Sequence, residues 1–355
     1  MLNRGVSHNP FSDDVAAGRL LHLKCDRMAD RERFRALVAD TVDHWDLIID
    51  FIGFHAQFAR DAVAALRRKD GSAWKVGTYV YISTDSVYQA MPLPQDHARP
   101  LDEDCCAPLE EEGTPAWRAH QALAGQTREG RYQLNYGGNK LSVDTFLRHA
   151  WDAGRFPFVS LRIPDVYGPY DNLGGFWQHF VAPVLQRERI GVYLPPARMR
   201  PRGAHKDLSD FASHKMSWVY APDVVRAVHA VAAAGPAAHG RVLHIAHVEH
   251  VSVGELAGLV ADALNAVAGA PADAPRYTAR LDDRSTAAMP QHDIGPIAVA
   301  RALALLDWAP TPLVGGIARS VAWFLASESH RTYAADVQRR LRQHDATEER
   351  RKEEL

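Results

Sequence analysis

The sequence has few cysteines, no long apolar run and no excess of charge of either sign. Its three cysteines, Cys25, Cys105 and Cys106, form neither a Cys-x-x-Cys pair nor a disulfide framework, which is typical of a reducing compartment. No apolar stretch reaches the roughly 18 residues that a membrane-spanning helix requires. The net charge of −2 argues against a dedicated nucleic-acid-binding protein. We therefore expect a globular, cytoplasmic protein.

Apolar runs and helical periodicity alternate over the first 165 residues. Trp45–Ile52 is a nearly continuous apolar run, which predicts a parallel strand covered on both faces. Val76–Ser83 and Pro157–Ile163 predict two further strands, and Tyr136–Gly154 predicts a helix between them. Strands that alternate with helices predict an α/β fold with a doubly wound parallel sheet.

The regular alternation ends near residue 170. The alternation predicts that residues 1–170 form the sheet domain. Within it, residues 91–131 form an insertion without clear periodicity that is too long for an ordinary connection. Residues 171–330 predict a second, smaller and mostly substrate-binding part. Residues 331–355 predict a charged tail.

Two local patterns stand in the C-terminal half. His244, His247 and His250 recur at every third residue around a predicted strand end, a spacing that fits no common metal-ligand motif. We expect them to be surface or turn residues, and no metal site is predicted. Ser252 and Glu255 have the spacing of a capping box and predict the start of a helix.

Tyr136 and Lys140 carry the clearest chemical signal. Four residues apart on a predicted helix, they share one face. A neighbouring ammonium favours the phenolate, which lowers the tyrosine pKa and makes the phenol a usable general acid or base. Thr84 and Pro164 each follow a predicted strand, and parallel strands end at the same edge of a sheet. We therefore expect these residues to meet there.

Five segments in order resemble the extended short-chain dehydrogenase/reductase superfamily, of the NAD-dependent epimerase/dehydratase type. They are Asp50–Phe54 (DFIGF), Tyr81–Tyr88 (YISTDSVY), Tyr136–Lys140 (YGGNK), Leu161–Pro169 (LRIPDVYGP) and Trp308–Phe324 (WAPTPLVGGIARSVAWF). The resemblance extends over nearly all of residues 1–327. It implies a Rossmann fold with a smaller C-terminal substrate domain, and an NAD(P)-dependent oxidoreductase or epimerase that acts on a sugar nucleotide or a related alcohol.

The resemblance also implies roles for individual residues. Tyr136 is expected to exchange a proton with a substrate hydroxyl or carbonyl, Lys140 to hold the nicotinamide ribose and lower the tyrosine pKa, and Thr84 to hydrogen-bond the reacting oxygen. The other expected cofactor contacts are Arg4 with a 2′-phosphate, Asp26 with adenine, the backbone of Phe51, Ile52 and Gly53, and Pro164 with nicotinamide. These contacts imply NAD or NADP as the cofactor.

Some of these residues have equally simple structural explanations. Phe51 and Ile52 follow an apolar strand and are explained as well by core packing as by cofactor contact. Asp26 stands at a predicted strand end, where it can be a turn residue. Arg4 can be a solvent-exposed residue of the N-terminal segment.

The substrate side departs from the dehydratases of the family, which carry an Asp-Glu pair after the threonine. Here the pair is Asp85 and Ser86, so an acid is present but the base is absent, and we expect epimerisation or reduction rather than dehydration. Lys215 lies near the position where epimerases bind a substrate phosphate. Arg198 and Arg200 belong to a basic loop that can grip a pyrophosphate or simply be solvated.

The family begins with a strand and a Gly-rich turn that binds the cofactor pyrophosphate at a helix N-terminus, and this sequence has no such turn. Met1–Gly5 instead resembles the end of the family's second strand. Either the protein starts upstream of Met1, which we expect, or the chain is a product that lacks part of its cofactor site. We expect weak NAD(P) binding by these 355 residues.

The sequence is also compatible with a function other than catalysis. The alternative is a catalytically weak binding protein that keeps the fold and contacts RNA or a protein. For the enzyme, the expected partner is a nucleotide-sugar substrate. If a homodimer forms, the resemblance implies that it packs through the Lys140 helix and the helix before it.

Overall fold

The computed structural model describes residues 1–3, 12–71, 73–90, 100–104, 128–171, 175–192, 214–267, 276–283, 295–328, 331–332 and 336. The chain divides into two compact units. The first unit comprises residues 1–91, 107–161 and 231–242, and the second comprises residues 92–106, 162–230 and 243–355.

Strands and helices alternate over most of the described chain. The strands are β1 (Leu2–Asn3), β2 (Leu23–Lys24), β3 (Trp45–Asp50), β4 (Val76–Thr84), β5 (Phe158–Ile163), β6 (Asp165–Tyr167), β7 (Ile190–Val192), β8 (Trp218–Tyr220), β9 (Arg241–His244) and β10 (Leu281–Asp283). The helices are α1 (Ser12–Ala16), α2 (Arg31–Asp40), α3 (Ala56–Ala65), α4 (Arg128–Gly154), α5 (Ala182–Leu185), α6 (Ala221–Ala234), α7 (Val253–Val267), α8 (Ala300–Leu305) and α9 (Leu313–Ala326). No helix in the described ranges is both long and apolar enough to cross a lipid bilayer.

The largest sheet has the strand order β3-β4-β5-β9. Strands β3 and β4 are parallel, with Trp45 beside Val76 and Asp50 beside Tyr81. A separate parallel pair is formed by β1 and β2. The doubly wound α/β fold is therefore confirmed, because successive parallel strands are joined by the crossover helices α3 and α4.

Strand β3 forms where the apolar run predicts it, but the prediction that both its faces are covered is wrong. Ile49 is 39% exposed, and Phe51, just beyond the strand, is 60% exposed. Among the described strands β3 pairs only with β4, so its other edge has no neighbouring strand there. An apolar run predicts burial of both faces only where other elements pack on each face and beside each edge of the strand.

The core of the first unit lies between the sheet and its helices. Phe34 and Val38 of α2, Ala59 and Ala62 of α3 and Leu147 of α4 are buried in one apolar cluster, together with residues of β4. These helices form because apolar residues recur at helical spacing and present one stripe to the sheet. Each large side chain buried in this way contributes about 1.5–3 kcal/mol.

A second apolar cluster, rich in aromatic side chains, forms the core of the second unit. It includes Trp218 of β8 and residues of α7 and α9. The capping box is confirmed at the start of α7, because the Ser252 N–H donates to Glu255 Oε2 at 2.7 Å and the Glu255 N–H donates to Ser252 Oγ at 3.2 Å.

The expectation that the regularly spaced histidines lie at the surface is wrong for two of them. His244 and His247 are fully buried. The His244 ring contacts the Ala298 carbonyl oxygen at 2.9 Å, and burial lowers its pKa to about 3, so the ring is neutral at physiological pH. His247 contacts the Tyr167 hydroxyl at 2.7 Å. Both rings serve as hydrogen-bonding elements of the core.

Candidate active site

Thr84 is the last residue of β4 and is buried. Its Oγ1 accepts a hydrogen bond from the Ser86 N–H at 3.2 Å. Its own hydroxyl hydrogen can be donated to Ser86 Oγ at 3.2 Å or to Asp85 Oδ1 at 3.3 Å. The chain then enters a 3₁₀ helix from Asp85 to Ala90. The threonine hydroxyl is thereby held at the carboxyl end of the strand, the edge at which such folds bind ligands.

Helix α4 packs directly against the backbone that follows Thr84. A Cβ atom placed on Gly137 would lie 2.0 Å from the carbonyl oxygen of Ser86, a distance that no side chain tolerates. Glycine at position 137 therefore allows the contact between helix and turn. Because Tyr136 is the adjacent residue, the same contact places the phenol-bearing residue beside the end of β4.

Lys140 lies one helical turn further along α4 and is only 2% exposed. Its Nζ donates a hydrogen bond to the Ile82 carbonyl oxygen at 2.6 Å. Burial lowers the pKa of Lys140 to about 8, and the negative charges of Asp50 and Asp144 oppose that effect. The structure thus places Thr84, Tyr136 and Lys140 around the end of β4 in the first unit.

Two aromatic rings flank the lysine ammonium. The centroid of the buried Tyr81 ring lies 4.6 Å from Lys140 Nζ, and that of the Phe54 ring lies 5.3 Å from it. Phe54 also contacts the half-buried Tyr136, with 6.1 Å between ring centroids. The rings favour the charged form of the lysine through cation–π attraction.

The segment that follows β3 contacts the Tyr81 side chain at Gly53. The Tyr81 hydroxyl donates to the Gly53 carbonyl oxygen at 2.8 Å, and a Cβ on Gly53 would lie 2.8 Å from a carbon of the Tyr81 ring. Phe51 and Ile52 are 60% and 43% exposed, so core packing does not explain them. The explanation by cofactor contact is compatible with their exposure.

A buried ion pair that the sequence reasoning missed lies at the end of β3. Arg27 Nη1 donates to both carboxylate oxygens of Asp50 at 3.0 Å, and the Tyr79 hydroxyl donates to Asp50 Oδ2 at 2.6 Å. The Arg27 guanidinium also lies over the Phe34 and Phe58 rings. The sequence signal for this ion pair is a carboxylate at the end of an apolar strand, because a buried carboxylate requires a partner.

Asp26 forms a turn in the structure. Its Oδ1 accepts hydrogen bonds from the Met28 N–H at 2.9 Å and the Ala29 N–H at 3.3 Å. This arrangement agrees with the turn explanation, and an adenine contact by the same carboxylate stays a prediction. Arg4 lies outside the described residues.

The predicted residues of the substrate side are only partly described. Pro164 is buried between β5 and β6, and Lys215 forms an ion pair with Glu255. Arg198 and Arg200 lie outside the described residues, as do Cys105 and Cys106. Asp85 Oδ1 lies 3.3 Å from Thr84 Oγ1 and can accept its hydroxyl hydrogen.

Asp165, the first residue of β6, is a carboxyl group that the sequence reasoning passed over. Burial raises its pKa to about 6. The raised value means that this carboxyl titrates near neutral pH. In the described ranges, no cluster of three or more histidine, cysteine or acidic side chains is arranged to hold a metal ion.

The donor groups of the site fit the nicotinamide ribose of a dinucleotide. The Lys140 ammonium has three N–H groups, of which one is donated to Ile82, and the Thr84 and Tyr136 hydroxyls both donate and accept. For the pyrophosphate, the described residues offer no Gly-rich turn at a helix N-terminus. The fit is therefore to the reactive half of a dinucleotide.

The chain belongs to the NAD dependent epimerase/dehydratase family, because the sequence model of that family matches residues 34–246, more than half of the chain. The match includes β3, β4, α4 and β5, and with them every described residue of the candidate site around Lys140. No curated protein sequence matches the chain significantly.

Solved structures of the same fold extend over nearly the whole chain. The UDP-glucuronic acid 4-epimerase of Bacillus cereus, solved in complex with NAD, is 14% identical, with a TM-score of 0.57 over 92% of this chain and 89% of the epimerase. The dTDP-glucose 4,6-dehydratase DesIV of Streptomyces venezuelae, solved with NAD and TYD bound, is 20% identical, with a TM-score of 0.59 over 92% and 87% of the two chains. Pal of Bacillus thuringiensis is 14% identical, with a TM-score of 0.61 over 92% and 91%. At these identities the likeness establishes the fold.

Proposed function

We propose that the protein is an NAD(P)-dependent oxidoreductase or epimerase that acts on a nucleotide sugar or a related alcohol. The observation that carries the proposal is the approach of Gly137 to the Ser86 carbonyl oxygen, which sets Tyr136 and Lys140 beside Thr84 at the end of β4. Similar folds solved with NAD support the choice of cofactor.

The three side chains divide the chemistry among them. A bound nicotinamide would supply the hydride acceptor for oxidation and the hydride donor for reduction. Tyr136 takes the proton from the substrate hydroxyl during oxidation and gives it back during reduction. Thr84 hydrogen-bonds the same substrate oxygen and holds it in line with the phenol. Lys140 favours the phenolate form of Tyr136 through its positive charge when it is protonated, and it holds the ribose.

The remaining contacts of the cofactor are proposed from the resemblance of the sequence to the family. The backbone of Phe51, Ile52 and Gly53 lines the cofactor beyond β3, and Pro164 borders the nicotinamide. Asp26 is proposed to lie near adenine. Arg4 is proposed to contact the 2′-phosphate when the cofactor is NADP.

Epimerisation or reduction is favoured over dehydration because the base that dehydration needs is missing. Ser86 is buried, its N–H donates to Thr84 Oγ1, and a serine hydroxyl has no useful basicity near pH 7. Asp85 is kept as the candidate acid. A redox step at a single carbon needs only the phenol, the threonine hydroxyl and the nicotinamide.

The phosphates of the substrate are assigned to cationic side chains of the second unit. Arg198 and Arg200 are the proposed contacts, because guanidinium groups bind phosphate in a bidentate manner. Lys215 is a weaker candidate, since its ammonium is already paired with Glu255.

The reaction is tested by incubating the protein with excess NAD or NADP and a series of UDP- and dTDP-hexoses, with NMR detection of products. A sugar inverted at one carbon, or an oxidised sugar with stoichiometric reduced nicotinamide, supports the proposal. A 4-keto-6-deoxy sugar would contradict the preference against dehydration. Cofactor binding without any turnover would favour the alternative of a binding protein.

A further inference from the structure

Phe54 lies over the one lysine of the candidate site. Its ring centroid is 5.3 Å from Lys140 Nζ, while the Tyr81 ring lies 4.6 Å from the same nitrogen. Tyr81 is fully buried, but Phe54 is 42% exposed. The ammonium is therefore flanked by one fixed ring from the core and by one ring that borders on solvent.

The backbone that carries Phe54 is held in place. Gly53 accepts the Tyr81 hydroxyl at 2.8 Å, and the Phe54 N–H donates to the Ile52 carbonyl oxygen at 2.9 Å. Helix α3 begins two residues later at Ala56. Because the main chain is fixed on both sides, the ring can leave the lysine only by a change of its own side-chain torsions, a motion of picoseconds to nanoseconds for exposed residues.

The Phe54 ring occupies space that a ligand of the Lys140 ammonium would need. A ribose hydroxyl that accepts a hydrogen bond from Nζ must approach to about 3 Å, and Lys140 is only 2% exposed in this arrangement. Its hydrogen bond to Ile82 holds the nitrogen at the end of β4, so the lysine does not move out to meet a ligand. Access therefore depends on the exposed ring.

We propose that Phe54 is a movable cover over Lys140, which must turn away before a hydroxyl of a bound dinucleotide can accept a hydrogen bond from the ammonium. The inference rests on the proposed function for the identity of that ligand. The cover itself is a property of the protein without ligand. Attraction between the ring and the ammonium holds the cover closed, so cofactor binding is weaker than it would be at an open lysine.

Chemical modification tests the cover without any cofactor. The purified protein is treated with a limiting amount of an acetyl N-hydroxysuccinimide ester, and acetylation of each lysine is measured by peptide mass mapping. Lys75 is the internal reference, because its Nζ also donates to a backbone carbonyl, that of Ala39. The Phe54→Leu variant removes the π face and keeps an apolar side chain. Phe54→Trp keeps a ring and is the matched control.

In Phe54→Leu we expect the acetylation of Lys140 relative to Lys75 to rise about threefold or more, and in Phe54→Trp to stay at the wild-type ratio. Calorimetry with NAD should give a dissociation constant about threefold to tenfold lower for Phe54→Leu than for wild type. Circular dichroism melts establish that the variants fold.

The acetylation ratio and the dissociation constant of NAD distinguish a failure of the proposed cover from a failure of the proposed function. An unchanged Lys140 ratio in Phe54→Leu overturns the cover even if the protein binds NAD and turns over a sugar nucleotide. Weaker NAD binding by Phe54→Leu also overturns it, since the ring would then be part of the cofactor site. A raised ratio in a protein that binds no dinucleotide supports the cover and contradicts the proposed function.

Discussion

Gly137 and Ser86 are in backbone contact, and a Cβ on the glycine would lie 2.0 Å from the serine carbonyl oxygen. The contact joins helix α4 to the turn after β4. It fixes how far Tyr136 stands from Thr84, because each of these residues is within two positions of the contact. The geometry of the site therefore depends on one position that has no side chain.

Replacing Gly137 with alanine should push α4 away from this turn. We expect kcat to fall at least about tenfold and the free energy of unfolding to fall by about 1–3 kcal/mol, the usual cost of an extra buried methyl group. Gly258→Ala in α7 is the matched control, because nothing lies within 4 Å of its Cβ position. That variant should be about 0.5–1 kcal/mol more stable than wild type and equally active. Equal activity of both variants would show that the contact does not position the site.

The buried pair of Arg27 and Asp50 should behave as a unit. Arg27→Met leaves the carboxylate buried without its cation, and we expect unfolding in urea to show a loss of about 3–5 kcal/mol. Asp50→Asn keeps an oxygen for Tyr79 and the Ile52 N–H. The double variant should therefore be more stable than Arg27→Met alone by at least about 1 kcal/mol. Additive losses would contradict the coupling.

Lys140 should make stability rise with pH in the alkaline range. Its pKa is about 8 in the folded protein and 10.5 ordinarily, so between these values the unfolded chain binds a proton that the folded chain does not. Raising the pH through this window then favours the folded state, by up to about 3 kcal/mol in total. The free energy of unfolding of wild type minus that of Lys140→Met should rise from pH 8 to 10.5. A flat difference would place the folded pKa near its ordinary value.

Local patterns in the sequence predict much of this fold. Strand β5 ends at Ile163 as predicted, and the capping box opens α7 as expected. The spacing of Tyr136 and Lys140 predicts that they share one face of a helix, and the end of the strand predicted at Ser83 gives the position of Thr84. These features are set by residues close in sequence, whose periodicity and capping are visible without a tertiary structure.

Features that depend on distant partners could not be predicted in this way. Arg27 and Asp50 are 23 residues apart, and neither pattern nor spacing points from one to the other. The buried ring of His244 contacts the Ala298 carbonyl oxygen, and these two residues are 54 positions apart in the sequence. The exposure of Ile49 depends on the strands beside β3, which the composition of the strand does not reveal. In each case tertiary contacts decide the outcome.

Turnover by Tyr136→Phe tests the central claim most directly. It is measured under saturating NAD or NADP with the sugar nucleotide that wild type converts, and Tyr277→Phe in the second unit serves as the control. We predict that kcat falls about 10²- to 10⁴-fold, the loss of a general acid–base group, while the dissociation constant of the cofactor changes less than about threefold. Retention of more than about a tenth of the wild-type kcat would contradict the assignment of the phenol as the proton-transferring group.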